Sequence, residues 1–327
     1  MVALPAPAVQ RRLRWSAEGI VPLVIFAAFA ALPLAAAFGA KAYILALFSR
    51  IMIFAIAAIA LDLLIGYGGL ISFGHAAFVG LGAYAVGILS AHGISDGLIA
   101  LPVALVASAL FGLATGAVCL RTRGVYFIMI TLAFSQMVFF TASSLAPYGG
   151  DDGLTVQSRN TIAGFALMRD EQSFYYVVLG FLVASYLLCR ALIGSRFGRV
   201  FRGARENAAR VASMGYDVFR YQLVAYVIAG SFGGVSGFLL ANATEFVSPA
   251  YMSWQRSGEL VIMVLMGGLG TLYGAILGAA AFVLAEEWLS GLTEHWKMIF
   301  GPLLILIVLF ARGGLVGAAG RLSRAKP

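Results

Sequence analysis

The chain has 327 residues, of which 61% are hydrophobic and only 11% charged. One soluble core cannot bury that much apolar surface, which excludes a water-soluble protein and leaves a polytopic membrane protein with one integral domain. The formal charge of +8 sits in short connectors and tails, where orientation in a membrane accounts for it, and no nucleic-acid partner is expected.

In chain order, a tail over residues 1–19 carries Arg11, Arg12 and Arg14 and leads into an apolar run from Ile20 to Phe38. That pattern is shared with signal peptides, and Ala35, Ala36 and Ala37 offer small residues for cleavage. The run is near full spanning length and another follows at once, so an uncleaved first helix is expected. Ten candidate crossings follow from the apolar runs: about 20–38, 42–65, 70–90, 98–119, 124–144, 173–193, 221–241, 258–270, 272–289 and 298–312. With the N-terminus inside, 16 of the 22 Lys and Arg fall in the cytoplasm, seven of them between Arg190 and Arg220. Most acids, including Asp96, Asp151, Asp152, Asp170, Glu171, Glu245 and Glu294, fall outside. That asymmetry satisfies the positive-inside rule and puts both termini in the cytoplasm. The expected fold is an all-α transmembrane bundle over residues 20–312, with some spans broken or short. It carries an external loop over 145–172, a basic cytoplasmic loop over 194–220 and a cytoplasmic tail over 313–327. Cys119 and Cys189 lie near the ends of apolar runs, without disulfide or metal spacing, and are expected to be structural thiols.

Two runs are crowded with glycine: Gly66–Gly87, GYGGLISFGHAAFVGLGAYAVG, and Gly267–Ala279, GGLGTLYGAILGA. An offset of 200 sets Phe73-Gly74 against Tyr273-Gly274 and Gly68 against Gly268. Glycine-interrupted apolar segments at matching positions of two halves point to broken helices at a transport pathway. The GxxxG spacings at Gly112/Gly116, Gly230/Gly234, Gly233/Gly237 and Gly270/Gly274/Gly278 are instead expected to let helix backbones approach closely. In the external loop, PYGGDDGLTV reads as turns. Asp151 and Asp152 lack the further acids that a calcium loop needs, and no metal is expected.

Ser72 and His75, three apart, would share a helix face as a Ser–His pair. No acid stands near enough in sequence to orient them, which makes hydrolysis the weakest hypothesis. A charged Asp62 costs about 2.5–3.5 kcal/mol at mid-span, less near a span end, so it either joins a pathway or pairs with Arg121, Arg123 or a backbone amide. Thr131, Ser135 and Gln136 lie along one span and either line a polar passage or bond neighbouring helices. Glu259 and Asn242 flank an external loop as candidates for the pathway mouth. The three lysines, Lys41, Lys297 and Lys326, none of them after a glycine, exclude a Walker A loop. ATP-driven transport would therefore need an ATPase on another chain. A stand-alone secondary transporter is the alternative.

The sequence resembles the permease subunits of branched-chain amino acid ABC importers of the LivM type. The resemblance rests on five ordered blocks: GYGGLISFGHAAFVGLGAY (Gly66–Tyr84), RGVYFIMITLAFSQM (Arg123–Met137), GGDDGL (Gly149–Leu154), GRVFRGARENAARVASMGYDVFRYQLVAYVIAG (Gly198–Gly230) and VLMGGLGTLYGAILGA (Val264–Ala279). Departures stand at Asp62, where relatives often have Asn, at Leu70, where they often have Gln, and at Ala275, where Pro is usual. The resemblance implies carriage of Leu, Ile or Val, or of urea, amides or aromatic compounds as in close relatives. It implies partners as well: a homologous second permease, two cytoplasmic ATPase subunits that hold ATP and Mg, and a periplasmic binding protein, all at the bacterial inner membrane.

The resemblance also implies that a short helix near Gly203–Gly215 docks on the ATPase. The residues suit that role. Ala204, Ala208, Val211 and Ala212 give a small apolar face, Gly215 a stop, and Arg202, Arg205, Glu206 and Asn207 polar contacts. An amphipathic helix lying on anionic membrane lipid is the other reading of the same residues.

Overall fold

The computed structural model describes residues 20–33, 41–161, 164–165, 168–293, 295, 298, 300–302 and 313–317. The N-terminal tail, most of the candidate crossing at 298–312 and most of the C-terminal tail lie outside the described residues. Among the described residues, six helices are long and apolar enough to cross a membrane. They are α2 (Lys41–Asp62, continued by a π-helical turn over Leu63–Tyr67), α4 (Gly97–Cys119), α5 (Val125–Ser144), α6 (Glu171–Gly194), α8 (Val218–Thr244) and α10 (Leu272–Leu292). The shorter α1 (Ile20–Pro33) and α3 (His75–Ala91) are apolar, α9 (Trp254–Gly267) carries Arg256 and Glu259 in its first half, and α7 (Arg196–Ser213) is the basic helix.

Side-chain caps fix several starts. Asp96 opens α4 by accepting from the Leu98 N–H, Asp170 opens α6 at Ser173, Ser195 opens α7 at Gly198, Asp217 opens α8 at Arg220 and Ser253 opens α9 at Arg256.

Over Ile51–Leu61 helix α2 is apolar on every face and buried throughout, and it is accordingly the core helix, with α6, α8, α9 and α10 packed around it. Helices α4, α5 and α6 leave large apolar side chains open on one side, among them Val106, Leu110, Met129, Phe140 and Leu188, as a lipid-facing surface requires. The GxxxG glycines do pack. A Cβ on Gly237 would run into the Val79 carbonyl, one on Gly82 into Gly234, and Gly112 and Gly116 lie against Val227 and Tyr226 of α8. Helices α9 and α10 form an antiparallel hairpin in which Gly267 meets Gly274 and Gly278 meets Met263.

Three expectations change. The run 70–90 is not one helix: residues 69–74 are non-helical and α3 starts at His75. The run 258–270 becomes α9, whose 14 residues are too short to span. In both cases the glycines that crowd the run remove the helical preference there. The fold is also not strictly all-α. Leu154–Thr155 of the external loop pairs antiparallel with Phe246–Val247 after α8, and a two-residue strand is too short to leave a periodic signal. Among the described residues of that loop, 3₁₀ segments stand at Ala146–Tyr148 and Gly150–Asp152.

Candidate functional site

The two glycine-rich breaks meet. Residues 68–74 interrupt the chain between α2 and α3, and 268–271 join α9 to α10. Gly69 (φ 69°), Gly268 (φ 114°) and Gly270 (φ 74°) take left-handed conformations that favour glycine. Asp62, fully buried at the end of α2, accepts a hydrogen bond from the Gly270 N–H at 2.8 Å. Of the pairing partners expected for this acid, a backbone amide is the one observed. Gly66 has no room for a side chain, because a Cβ there would overlap the Asp62 carboxylate and the Gly270 backbone. The end of α2, just before the first break, therefore touches the second break through backbone and one carboxylate.

The basic helix sits on that junction. Phe201 and Arg205, four residues apart, lie on one face of α7. The buried Phe201 ring fills the space over Gly68, and the Arg205 stem lies on Gly69, whose added Cβ would stand 3.0 Å from the Arg205 Cγ. The Arg205 guanidinium then donates to the Gly66 carbonyl. The run Gly66-Tyr67-Gly68-Gly69 thus forms a saddle for two side chains of the connector. Arg202 faces elsewhere and donates to the Ile193 carbonyl at 3.1 Å, tying α7 to the end of α6.

Helix α7 begins seven residues before the expected Gly203 and bends at Asn207 (φ −156°, ψ 95°), whose side chain accepts from the Arg210 N–H at 2.9 Å and starts a second short arm. Gly215 (φ 86°) ends it, as expected. Of the expected apolar face, Ala204 and Val211 are buried, Ala208 is half-buried and Ala212 is exposed. The sequence reading missed Phe201 as the main anchor, although its spacing of four from Arg205 was available as a signal. An open groove of about 760 Å³ lies in the elbow, lined in part by Arg196, Arg199, Gly203, Glu206, Asn207 and Arg210.

The remaining candidates are dispersed. Ser72 lies in the non-helical break and His75 opens α3, so they do not share a helix face. The Ser72 hydroxyl accepts from the Gly74 N–H at 3.2 Å, while both His75 nitrogens are buried without a hydrogen-bond partner among the described residues. Thr131 and Ser135 bond neighbouring segments. Thr131 accepts from the Phe73 N–H at 3.2 Å, and Ser135 donates to the Met252 carbonyl at 3.0 Å. Gln136 is half-buried, its Nε2 without a hydrogen-bond partner among the described residues. Asn242 accepts from the Asn160 N–H at 2.8 Å, and Glu259 pairs with Arg256 at 2.6 Å. Ser257, which the sequence reading passed over, accepts from the Ala76 N–H at 3.1 Å and holds the start of α3. Thr131→Val, which leaves the Phe73 N–H without its acceptor, is expected to cost about 1–2 kcal/mol, read as a lower melting temperature in detergent.

Residues 43–309 match the family described as branched-chain amino acid transport system, permease component. The high-affinity branched-chain amino acid transport system permease protein LivM of Salmonella typhimurium is 26% identical over 288 residues, covering 81% of this chain and 68% of that protein. The probable LivM of Methanocaldococcus jannaschii is 25% identical, over 80% of this chain and 89% of its own length. The probable LivH permease of M. jannaschii is 30% identical over 156 residues, 43% of this chain. No solved structure matches. A match running from the start of α2 to beyond α10 takes in both breaks, the saddle and the basic helix, and the chain belongs to the family of permease components of branched-chain amino acid transport systems.

Proposed function

We propose that this chain is one of two homologous permease subunits of an ATP-driven importer for branched-chain amino acids or a related small polar solute. It works in the bacterial inner membrane beside two cytoplasmic ATPase subunits, which hold ATP and Mg, and a periplasmic binding protein. Similarity to both LivM and LivH proteins supports the paired permeases. The observation that carries the reading is the saddle, because it gives force on the basic connector a route into the membrane part.

In this reading the exposed arginines and the elbow groove of α7 meet the ATPase, with Gly203, Glu206, Asn207, Ala208 and Ala212 at or near the contact and Gly215 setting its end. Arg202 anchors the helix to α6, while Phe201 and Arg205 move the first break. Asp62 carries that movement to the second break through Gly270. Because α2 continues from the saddle through the middle of the bundle, a small shift at one end moves the core helix against α6, α8 and α10. The chain itself performs no hydrolysis.

Charge reversal of Arg199 and Arg210 together, to Glu, tests the contact, since both line the elbow groove. The expected result is loss of ATPase co-purification and a fall in ATP-dependent uptake of about tenfold or more, as removal of two charged contacts implies. Unchanged assembly and uptake would contradict the assignment. Accumulation of solute by this chain alone, down an ion gradient, would favour a secondary transporter instead.

A further inference from the structure

At the end of the bundle away from the basic helix, charged side chains gather on one face. Arg50 precedes Asp62 by 12 residues in α2, about 18 Å along the axis. Its guanidinium stands 3.0 Å from Glu286 and 3.9 Å from Glu287 of α10, and Tyr43 donates to Glu287 at 2.6 Å. Arg256 pairs with Glu259 on α9, and the guanidiniums of Arg50 and Arg256 both lie 5.9 Å from the Phe54 ring centre.

These groups are not sealed inside the bundle. The side chains of Arg50, Glu287 and Arg256 are 35%, 34% and 33% open to the outside of the chain. A charge on a spanning helix that faces lipid costs several kcal/mol, so such side chains face water or protein instead. Among the described residues, two guanidiniums and three carboxylates share the face. A monovalent anion or cation would be repelled by one half of it, whereas a zwitterion finds a partner for each end. Guanidinium receives a carboxylate through a pair of hydrogen bonds, and paired glutamates receive an ammonium. Phe54, between the two arginines, offers apolar contact.

We propose that this face lines the outer, water-filled part of the solute path and binds a zwitterionic α-amino acid, with Arg50 on its carboxylate and Glu286 and Glu287 on its ammonium. The inference rests on the permease reading above and adds where, and by what chemistry, this chain selects its solute.

Ser290 stands one turn beyond Glu286 and Glu287, is exposed and takes no part in the proposed binding, so Ser290→Cys is a near-isosteric reporter. The complete transporter carrying it is reconstituted in vesicles and treated from outside with a membrane-impermeant maleimide. Val106→Cys, on the lipid-facing side of α4, serves as comparison. A thiol reacts as thiolate, which forms in water and not in lipid. The expected result is labelling at position 290 about tenfold or more faster than at 106. Leucine should slow it, while leucinamide and 4-methylpentanoate, each lacking one charge, should not. Arg50→Gln should raise the leucine concentration needed for protection about tenfold, as loss of a charged hydrogen-bonding partner implies.

No labelling at 290, which is the result for a face buried against the second permease or in lipid, overturns the proposal. Equal protection by all three solutes overturns it too. Labelling needs no ATP, so its outcome is separable from the permease reading, which fails instead if wild-type vesicles with binding protein and ATP take up no leucine.

Discussion

Replacing Asp62 by alanine is expected to lower ATP-driven uptake about tenfold or more, while Asp62→Asn stays within about threefold of the wild type. The alanine leaves the Gly270 N–H without its acceptor where the end of α2 is bonded to the second break. A buried hydrogen bond to a charged group contributes about 1.5–3 kcal/mol, and an orphaned donor costs about as much again. Asparagine keeps a carbonyl oxygen where Oδ1 stands. Uptake and melting temperature, measured on the same preparations, check the prediction. Unchanged uptake in Asp62→Ala would show that the breaks move independently, whereas equal losses in both variants would show that charge, not the hydrogen bond, is what matters.

The second large effect is on folding. Gly237→Val is expected to destabilise the protein by about 3 kcal/mol or more, enough to lower its yield in the membrane sharply. The added atoms would meet the Val79 carbonyl and the Ala83 amide, which are backbone and cannot swing aside. They also fall on the extensive α3–α8 contact that holds the start of α3 against the first break. Gly180→Ala supplies the control. It lies in α6 with nothing within 4 Å of an added Cβ, so it should leave yield and melting temperature near the wild type. If the two variants behave alike, close backbone approach is not what the GxxxG spacings are for.

Much of this architecture was legible in the sequence, and the limits have physical causes. The long spans followed from apolar runs, since lipid demands that length and composition of any crossing helix. The two breaks were legible because glycine crowds into them at a fixed offset, and the stop at Gly215 because a left-handed residue ends a helix there. Which backbone atoms meet across the breaks was not legible, because glycine carries no side chain and hence no pattern that names a partner. The Asp62–Gly270 bond joins residues 208 apart, and Ser257 reaches Ala76 across 181. The basic helix was placed seven residues late because its arginines dominate the composition and conceal Phe201, the residue that seats it. Its bend at Asn207 rests on a single backbone conformation that no propensity announces.

The most direct test of the saddle is Arg205→Ala in the complete, reconstituted transporter, with uptake and ATP hydrolysis measured together. Arg205 is here a positioning residue that hands movement to Gly66, so the ATPases should stay bound and hydrolysis should continue while solute moved per ATP falls about tenfold or more. If uptake and hydrolysis stay in the wild-type ratio, force does not enter through this arginine and the account is contradicted.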